Sequence, residues 1–406
     1  MVTIFFSVGE PSGDLHGSNL IRELRSRRSD MRCVGYGGPR MADAGCELHA
    51  DLTRHAVMWF VSVLLNFHKF LALLIRADRY FREERPDAVV LIDYPGFNWW
   101  IARRAKARGI PVFYYGTPQL WAWAGWRIKK MRRYVDHALC KLPFEEKWYR
   151  DRGCQAIYVG HPYFDELLAQ KLDAEFIAAQ QRDPTPLVTI LPGSRTQEVR
   201  GNLPWLIRAA ERVRKRVPNV RFAIAAFNPS QAEYARQLAD ELKCPVDVQV
   251  GRTPELIHSA TCCMAVSGSV SLELLYHSKP SVILYHVTRL GFWGQPLVRK
   301  VRYITLVNLI TTPNLQPKTV GVYDRRDPID AHVLMPEYMT CGDRSAELAG
   351  HLIEWLTDPA AREHRVAELA ALKQRIAHGG ASRRAAEYVL AALDDRRAAP
   401  AERSAA

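Results

Sequence analysis

Short apolar runs, each followed by a stretch of helical periodicity, recur along most of this chain, and that rhythm constrains the fold more than any single motif. Thr3–Val8, Ala88–Ile92, Ile110–Tyr115, Val135–Cys140 and Ala156–Val159 read as strands, with helices over Leu15–Arg28 and Trp99–Arg108. The run Ala88-Val-Val-Leu-Ile92 does not alternate with polar residues, the mark of a strand buried on both faces of a parallel sheet. From Lys171 to Pro186 the pattern lapses into a polar stretch containing Asp183-Pro-Thr-Pro186, which reads as an interdomain linker. It then restarts, with strands at Leu187–Leu191, Val220–Ala226, Val246–Val250, Cys262–Val266 and Ser281–Tyr285. Helices fall near Asn202–Arg216, Ser230–Leu242, Pro254–Ser259 and Ser271–His277, and the chain reads as helical from Asp343 onward. The fold class is therefore α/β, with two Rossmann-like, doubly wound domains facing a cleft. Residues 1–170 form the first domain and 187–366 the second, and the Ala-rich end over 396–406 reads as a disordered tail.

Charge narrows the partner. The 406 residues carry 56 Lys plus Arg against 43 Asp plus Glu, a net charge of +13. Such a surplus favours a phosphate-bearing partner: a nucleotide, an anionic lipid surface or a nucleic acid. The basic residues are dispersed and no nucleic-acid-binding signature stands out, so nucleic acid is the weakest of the three. Eight scattered cysteines without a CxxC pair, and no HExxH, offer no zinc site and read as reduced, cytosolic thiols. No basic residue precedes Arg22, so the start lacks the charged flank of a signal peptide. Ala56–Ile75 is long and apolar enough to raise the question of a membrane span, but Asn66, His68 and Lys69 sit near its middle. A central lysine alone costs about 2.5–3.5 kcal/mol on insertion. Two readings are left: a core helix with its approach loop, or an apolar face against a bilayer surface, with Arg76, Arg79, Arg82 and Arg85 nearby for anionic head groups.

Ligands of open α/β sheets sit beyond the carboxyl ends of the strands, and four strand ends here carry unusual residues. Gly9-Glu-Pro-Ser-Gly-Asp14 follows the opening strand; Gly13 permits close approach, and Ser12 and Asp14 can accept N–H bonds at the helix start. Asp93-Tyr-Pro-Gly-Phe-Asn98 follows the uncharged Ala88–Ile92 strand, so Asp93 is expected at the crevice lip in a partly apolar setting. Such a setting raises a carboxylate pKa and suits a general base. Leu191-Pro-Gly-Ser-Arg-Thr-Gln-Glu198 resembles a phosphate cradle, with Gly193 for access, Ser194 as a hydroxyl, and Arg195 beside a helix start. Ser267-Gly-Ser-Val-Ser-Leu-Glu273 opens another helix, with Ser267, Gly268 and Ser269 at its start and Glu273 placed to accept ribose hydroxyls. Each is also explained by an ordinary capped turn. Taken together, the last two fit a diphosphate lying across neighbouring strand ends. No Asp-x-Asp pair accompanies them, so backbone dipoles and Arg195 rather than Mg²⁺ would stabilise a diphosphate leaving group. No metal or other cofactor is expected.

At these residues the chain resembles the lipid-A-disaccharide synthases, bacterial glycosyltransferases of the two-domain GT-B type. The resemblance runs from Ile4 to about Leu393. Besides the four loops it rests on Pro118-Gln-Leu-Trp-Ala-Trp123, Arg127-Ile-Lys-Lys130, Leu142-Pro-Phe-Glu-Glu146, Val159-Gly-His-Pro162 and Gly380-Ala-Ser-Arg383. It implies inverting transfer of 2,3-diacylglucosamine from UDP-2,3-diacylglucosamine to 2,3-diacylglucosamine 1-phosphate, giving a β-1′,6-linked disaccharide phosphate and UDP. Asp93 would be the base, with Glu10 and Asp14 the other catalytic candidates and Asn98 among the binding residues. Ser194 and Arg195 would hold the diphosphate and Glu273 the ribose, while Asn308 and Glu337 match donor-side positions. It also implies C-terminal helices returning to the first domain over about 367–395, cytoplasmic placement at the inner face of the inner membrane, and an apolar patch at Ala56–Ile75 for acylated substrates. Trp99, Trp100, Trp121, Trp123 and Trp126 could hold acyl chains or sugar faces, or pack in the core.

The chain departs from the family pattern in places. Pro11 replaces an alanine, Ser269 and Ser271 replace threonines, and Thr340 stands where glutamine is usual. Val307 precedes Asn308 where proline is usual, and Asn314 offers a rival alignment for the donor-side asparagine. The stretch from Asn308 to Pro336 is longer than usual by about twenty residues. A homodimer stays open. Two alternatives also stand: a GT-B transferase acting on another lipid acceptor, as in peptidoglycan precursor synthesis, and a non-catalytic basic protein binding membrane or nucleic acid.

Overall fold

The computed structural model describes residues 1–53 and 67–398. It divides into two compact units: Met1–Leu120, Ala124–Glu166 and His378–Ala406 in unit 1, and Trp121–Trp123 with Leu167–Ala377 in unit 2. The division thus falls at Leu167, ahead of the expected linker, and the last crossing falls at His378.

Unit 1 is built on a seven-stranded sheet. Its strands are β1 (Val2–Val8), β2 (Met31–Gly37), β3 (Cys46–Asp51), β4 (Ala88–Ile92), β5 (Val112–Tyr115), β6 (His137–Cys140) and β7 (Ala156–Tyr158). Their order is β3-β2-β1-β4-β5-β6-β7, and every pairing is parallel. All five residues of β4 are buried, as its uninterrupted apolar run requires. Unit 2 repeats the plan with β8 (Leu187–Leu191), β9 (Arg221–Ala226), β10 (Asp247–Val250), β11 (Cys262–Val266), β12 (Ser281–His286) and β13 (Glu337–Thr340). Its order is β10-β9-β8-β11-β12-β13, again with parallel pairing throughout. Both sheets reverse their winding direction once, between β1 and β4 and between β8 and β11. In such sheets that switch point leaves a crevice at the strands' carboxyl ends.

Three strands escape the sequence reading: β2, β3 and β13. In β2, Met-Arg-Cys-Val-Gly-Tyr-Gly mixes an arginine and two glycines with apolar residues. In β3, Cys-Glu-Leu-His-Ala-Asp offers little to bury, and β13 has only four residues. Neighbouring backbone, rather than local apolar content, recruits them into the sheets.

The returning C-terminal helix, Ala381–Ala398, has clear physical causes. Ala385, Ala386, Val389 and Leu393 join the core formed by Val2, Ile4, Phe6 and Val90. Asp165 accepts the backbone N–H groups of Gly380, Ala381 and Ser382, satisfying the helix's first donors. Arg384 Nε donates to the Val159 carbonyl at 2.8 Å. The helix runs through Ala398, so residues 396–398 are not part of a disordered tail; the remainder of that tail lies outside the described residues. So does the 56–66 part of the apolar segment. Its described continuation is the helix Phe67–Glu83, with Leu71 and Ile75 exposed. Among the described residues no helix is long and apolar enough to cross a membrane.

Candidate active site

In unit 1, the switch point brings the loop after β1 beside the loop after β4. Asp93 and Tyr94 both lie in the left-handed region, at φ 49° and 43°, a conformation costly for a tyrosine unless its surroundings impose it. They do. Tyr114 Oη and Asn98 Nδ2 each donate to the Asp93 carbonyl at 2.8 Å, and Asn98 Nδ2 also reaches the carbonyls of Ser7 and Ile92. Ser7 Oγ donates to Asn98 Oδ1 at 2.6 Å. Asn98 is fully buried, so it fixes the backbone that carries Asp93 and offers nothing to a ligand directly.

The Asp93 carboxylate does not sit in the apolar setting expected of it. Lys141 Nζ approaches its Oδ1 at 3.2 Å. Burial alone would lower the Lys141 pKa, but Asp93, Glu145 and Glu10 together raise it, so Lys141 is a firm cation. Glu10 therefore contributes its charge to this corner. Gly13 lies here as well: a side chain on it would meet Val8 at 2.8 Å and Asp93 Oδ2 at 3.5 Å. Ser12 is exposed on the first turn of the helix Pro11–Arg27, whose N-cap, Glu10, makes no side-chain cap bond.

Asp14 has a different occupation from the one its position suggests. It is buried and accepts the N–H groups of Gly38, Arg40 and Met41, at 2.9–3.1 Å. It therefore caps the next short helix, Pro39–Asp43, instead of its own.

Two further side chains belong here that sequence reasoning did not single out for a role. Lys141 directly follows β6, and His161 lies in the turn after β7, buried, with Nδ1 accepting from the Tyr163 N–H at 3.2 Å. Burial, reinforced by Lys141 and His16, holds His161 well below its ordinary pKa, so its imidazole is neutral. The missed signal for Lys141 is the one that found Asp93: a charge directly after an apolar strand. The five tryptophans divide, with Trp99 and Trp121 buried and Trp100, Trp123 and Trp126 exposed.

In unit 2, β8 and β11 are paired neighbours, so the loops after them adjoin. Gly193 has φ 108°, and a side chain there would strike Glu198 Oε2 at 2.9 Å and Val266 at 3.1 Å. Only glycine fits. Ser194, Arg195 and Thr196 are exposed at the start of the 21-residue helix Thr196–Arg216. Arg195 is its N-cap, without a side-chain cap bond; its guanidinium is 77% exposed and 3.4 Å from Glu198 Oε1. A long helix start with uncapped amides and an available arginine suits an anion.

The second loop is a weaker version. Gly268 and Ser269 are exposed, Ser267 Oγ donates to the Ile304 carbonyl at 3.2 Å, and the helix Val270–Tyr276 has only seven residues. Glu273 is buried in that helix rather than facing solvent. Asn308 and Glu337 are brought together, but inside the protein. Glu337 accepts from the N–H groups of Ile304 and Thr305 and from Asn308 Nδ2, and Asn308 also bonds both backbone groups of Met335. Burial raises the Glu337 pKa against those bonds. This pair shapes the turn that meets Ser267; Asn314 is exposed and donates its N–H to Thr312. Asn202 was also missed: it is buried, and its Oδ1 accepts the His286 N–H at the end of β12. Among the described residues no group of three or more His, Cys, Asp or Glu could hold a metal ion.

The family described as Lipid-A-disaccharide synthetase matches residues 4–335. The chain belongs to the lipid-A-disaccharide synthase family. A lipid-A-disaccharide synthase of Coxiella burnetii is 36% identical over 312 residues, covering 76% of this chain and 82% of that protein. One from Myxococcus xanthus is 33% identical over 394 residues, covering 96% and 97%. Among solved structures, the S. aureus MnaA-UDP co-structure has a TM-score of 0.62 at 11% identity, covering 97% of each chain. A UDP-GlcNAc 2-epimerase from Neisseria meningitidis bound to UDP-GlcNAc reaches 0.61 at 14%, covering 96% of this chain and 99% of that one. These structural likenesses place the two parallel-sheet domains in the GT-B architecture. Membership in the lipid-A-disaccharide synthase family makes the chain an enzyme, a UDP-sugar glycosyltransferase of lipid A biosynthesis with a lipid-linked acceptor.

Proposed function

We propose that the enzyme transfers 2,3-diacylglucosamine from its UDP conjugate to 2,3-diacylglucosamine 1-phosphate, with inversion at the anomeric carbon. The observation that carries this reading is the Asp93 carboxylate at the switch point of the first sheet, on a backbone in the left-handed region whose carbonyl Tyr114 and Asn98 both hold. Asp93 accepts the proton of the acceptor 6-hydroxyl as that oxygen bonds to the anomeric carbon. The bond from that carbon to the diphosphate breaks, and UDP leaves with the electron pair, on the face opposite attack. Lys141 orients the Asp93 carboxylate through their 3.2 Å contact. The amides after Gly193 and the Arg195 guanidinium take up the charge that develops on the diphosphate. Ser194, Ser267, Gly268 and Ser269 line the same pair of loops, with Glu273 assigned to the ribose. Asn308 and Glu337 act on the donor indirectly, by holding the Ile304–Thr305 turn. Asp14 and Asn98 position loops in the same way. We further propose that the reaction runs without a metal ion and at the inner face of the inner membrane, where both acylated substrates reside.

The test is incubation with the two diacylglucosamine substrates in EDTA, with mass analysis of the products. Disaccharide phosphate and UDP should form at the rate seen without chelator. Full inhibition reversed by Mg²⁺ would remove the metal-free mechanism, and absence of the disaccharide would remove the substrate assignment. Arg195→Ala should weaken UDP binding about tenfold, since hydrogen bonds to charged groups contribute about 1.5–3 kcal/mol and this side chain is well exposed. Calorimetric titration with UDP measures it; an unchanged dissociation constant would take Arg195 off the diphosphate.

A further inference from the structure

A helix on a protein surface ordinarily turns its apolar stripe inward and its polar face to water. The helix Arg289–Val298 of unit 2 does the reverse. Leu290, Trp293 and Leu297, spaced to share one face, are 85%, 76% and 83% exposed, and Val298 adjoins them at 56%. Phe292 and Gln295 are less exposed, and Arg299, just past the helix end, is buried. The Arg299 guanidinium donates inward to the carbonyls of Arg302 and Gly321. The helix is thus anchored at its end by Arg299, with Phe292 and Gln295 on its less exposed side, and presents Leu290, Trp293 and Leu297 outward. Thr288 starts it, accepting the Gly291 N–H.

We propose that this face rests on an anionic bilayer surface. Charge selects that occupant. From Leu274 to Tyr323 the chain contains no Asp or Glu, and it carries Lys279, Arg289, Arg299, Lys300, Arg302 and Lys318. Arg289 and Lys300, both exposed, bracket the apolar face. A second copy docking through the same patch would bring like charges together, which is unfavourable, whereas anionic head groups would neutralise them. Ten residues are too few to span a bilayer, and a tryptophan amid leucines with flanking cations suits the head-group boundary. The contact gives unit 2 its own hold on the surface. It rests on the acylated substrates of the proposed reaction for its purpose only, since the surface itself needs no substrate.

The experiment is co-sedimentation of the full chain with phosphatidylcholine vesicles, with and without phosphatidylglycerol, in the absence of substrate. The triple variant Leu290→Ser, Trp293→Ser, Leu297→Ser should partition onto anionic vesicles at least about tenfold more weakly than wild type, since even partial burial of three large apolar groups contributes that much. The double variant Arg289→Glu, Lys300→Glu should lose binding to anionic vesicles while matching wild type on neutral ones. Thermal melts and light scattering accompany both. Wild-type partition of the triple variant overturns the proposal. So does a change in its oligomeric state without vesicles, which would assign the face to a second copy. Turnover on detergent-dispersed substrates separates the two readings: no disaccharide from any variant or from wild type sinks the reaction, while the vesicle result stands alone.

Discussion

Asp93→Asn should lower turnover by about 10²–10⁴-fold, the range for losing a positioned general base, while UDP affinity stays within about twofold of wild type. Asparagine is the informative replacement because Asp93 sits at φ 49°, a conformation that asparagine tolerates better than other non-glycine residues. The bonds from Tyr114 and Asn98 go to the Asp93 carbonyl, so the substitution leaves them in place. What changes is the side chain: an amide of the same shape that cannot take the acceptor's proton. Lys141 keeps a stabilising field from Glu145 and Glu10, so a stranded buried cation is not the main consequence. The loops proposed to hold UDP belong to unit 2, on separate strands, so its calorimetric titration should scarcely move. Turnover comparable to wild type would show that Asp93 is not the base; loss of UDP affinity together with turnover would show that the variant disturbs more than proton transfer.

How far the sequence could be read depended on where the information lay. The β4 and β8 strands were found to the residue, because a fully buried parallel strand reads as a nearly continuous apolar run, interrupted in β8 by Thr189 alone. The loops after β1, β4, β8 and β11 were found because a charge or small-residue cluster after such a strand is conspicuous. That these loops fall at the two switch points follows from strand order, which local pattern does not contain. The β2 strand, with its arginine and glycines, owes its place to the neighbours that pair with it. Side-chain roles were least legible. Asp14, Asn98, Asn308 and Glu337 lie close to the candidate loops, yet all four are buried and spend their polar atoms on backbone groups. A sequence marks a polar residue near a site; whether it faces ligand or main chain depends on segments far away in the chain, such as Gly38 for Asp14 or Ile304 for Glu337.

Within the long stretch between Asn308 and Pro336, Asp327 and Asp330 are gathered on one guanidinium, and Arg302→Met should expose that dependence. Arg302 donates through Nε and Nη2 to both oxygens of Asp330 at 2.8 and 2.7 Å, and through Nη2 to Asp327 at 2.7 Å. Tyr303 Oη and the Asp324 N–H complete the shell of Asp330. Burial would raise the Asp330 pKa, but the Arg302 fork and these donors outweigh it and hold the group below its ordinary value. The Asp330 side chain is only 1% exposed, so removing its partner leaves a buried charge uncompensated. That costs about 3–5 kcal/mol, and at about 2–4 °C per kcal/mol for a domain of this size unit 2 should melt roughly 6–20 °C lower. The double variant Arg302→Met, Asp330→Asn should recover part of the loss, because no ion is then stranded; a merely oversized methionine would show no such recovery. The effect should reach the proposed donor loops through one short segment. Ile304, two residues on, accepts from Ser267 Oγ and donates to Glu337, so loosening Arg302 should weaken UDP binding even where the variant is still folded. A single variant that melts within a degree of wild type would mean the stretch is held by its apolar contacts, with Arg302 a bystander.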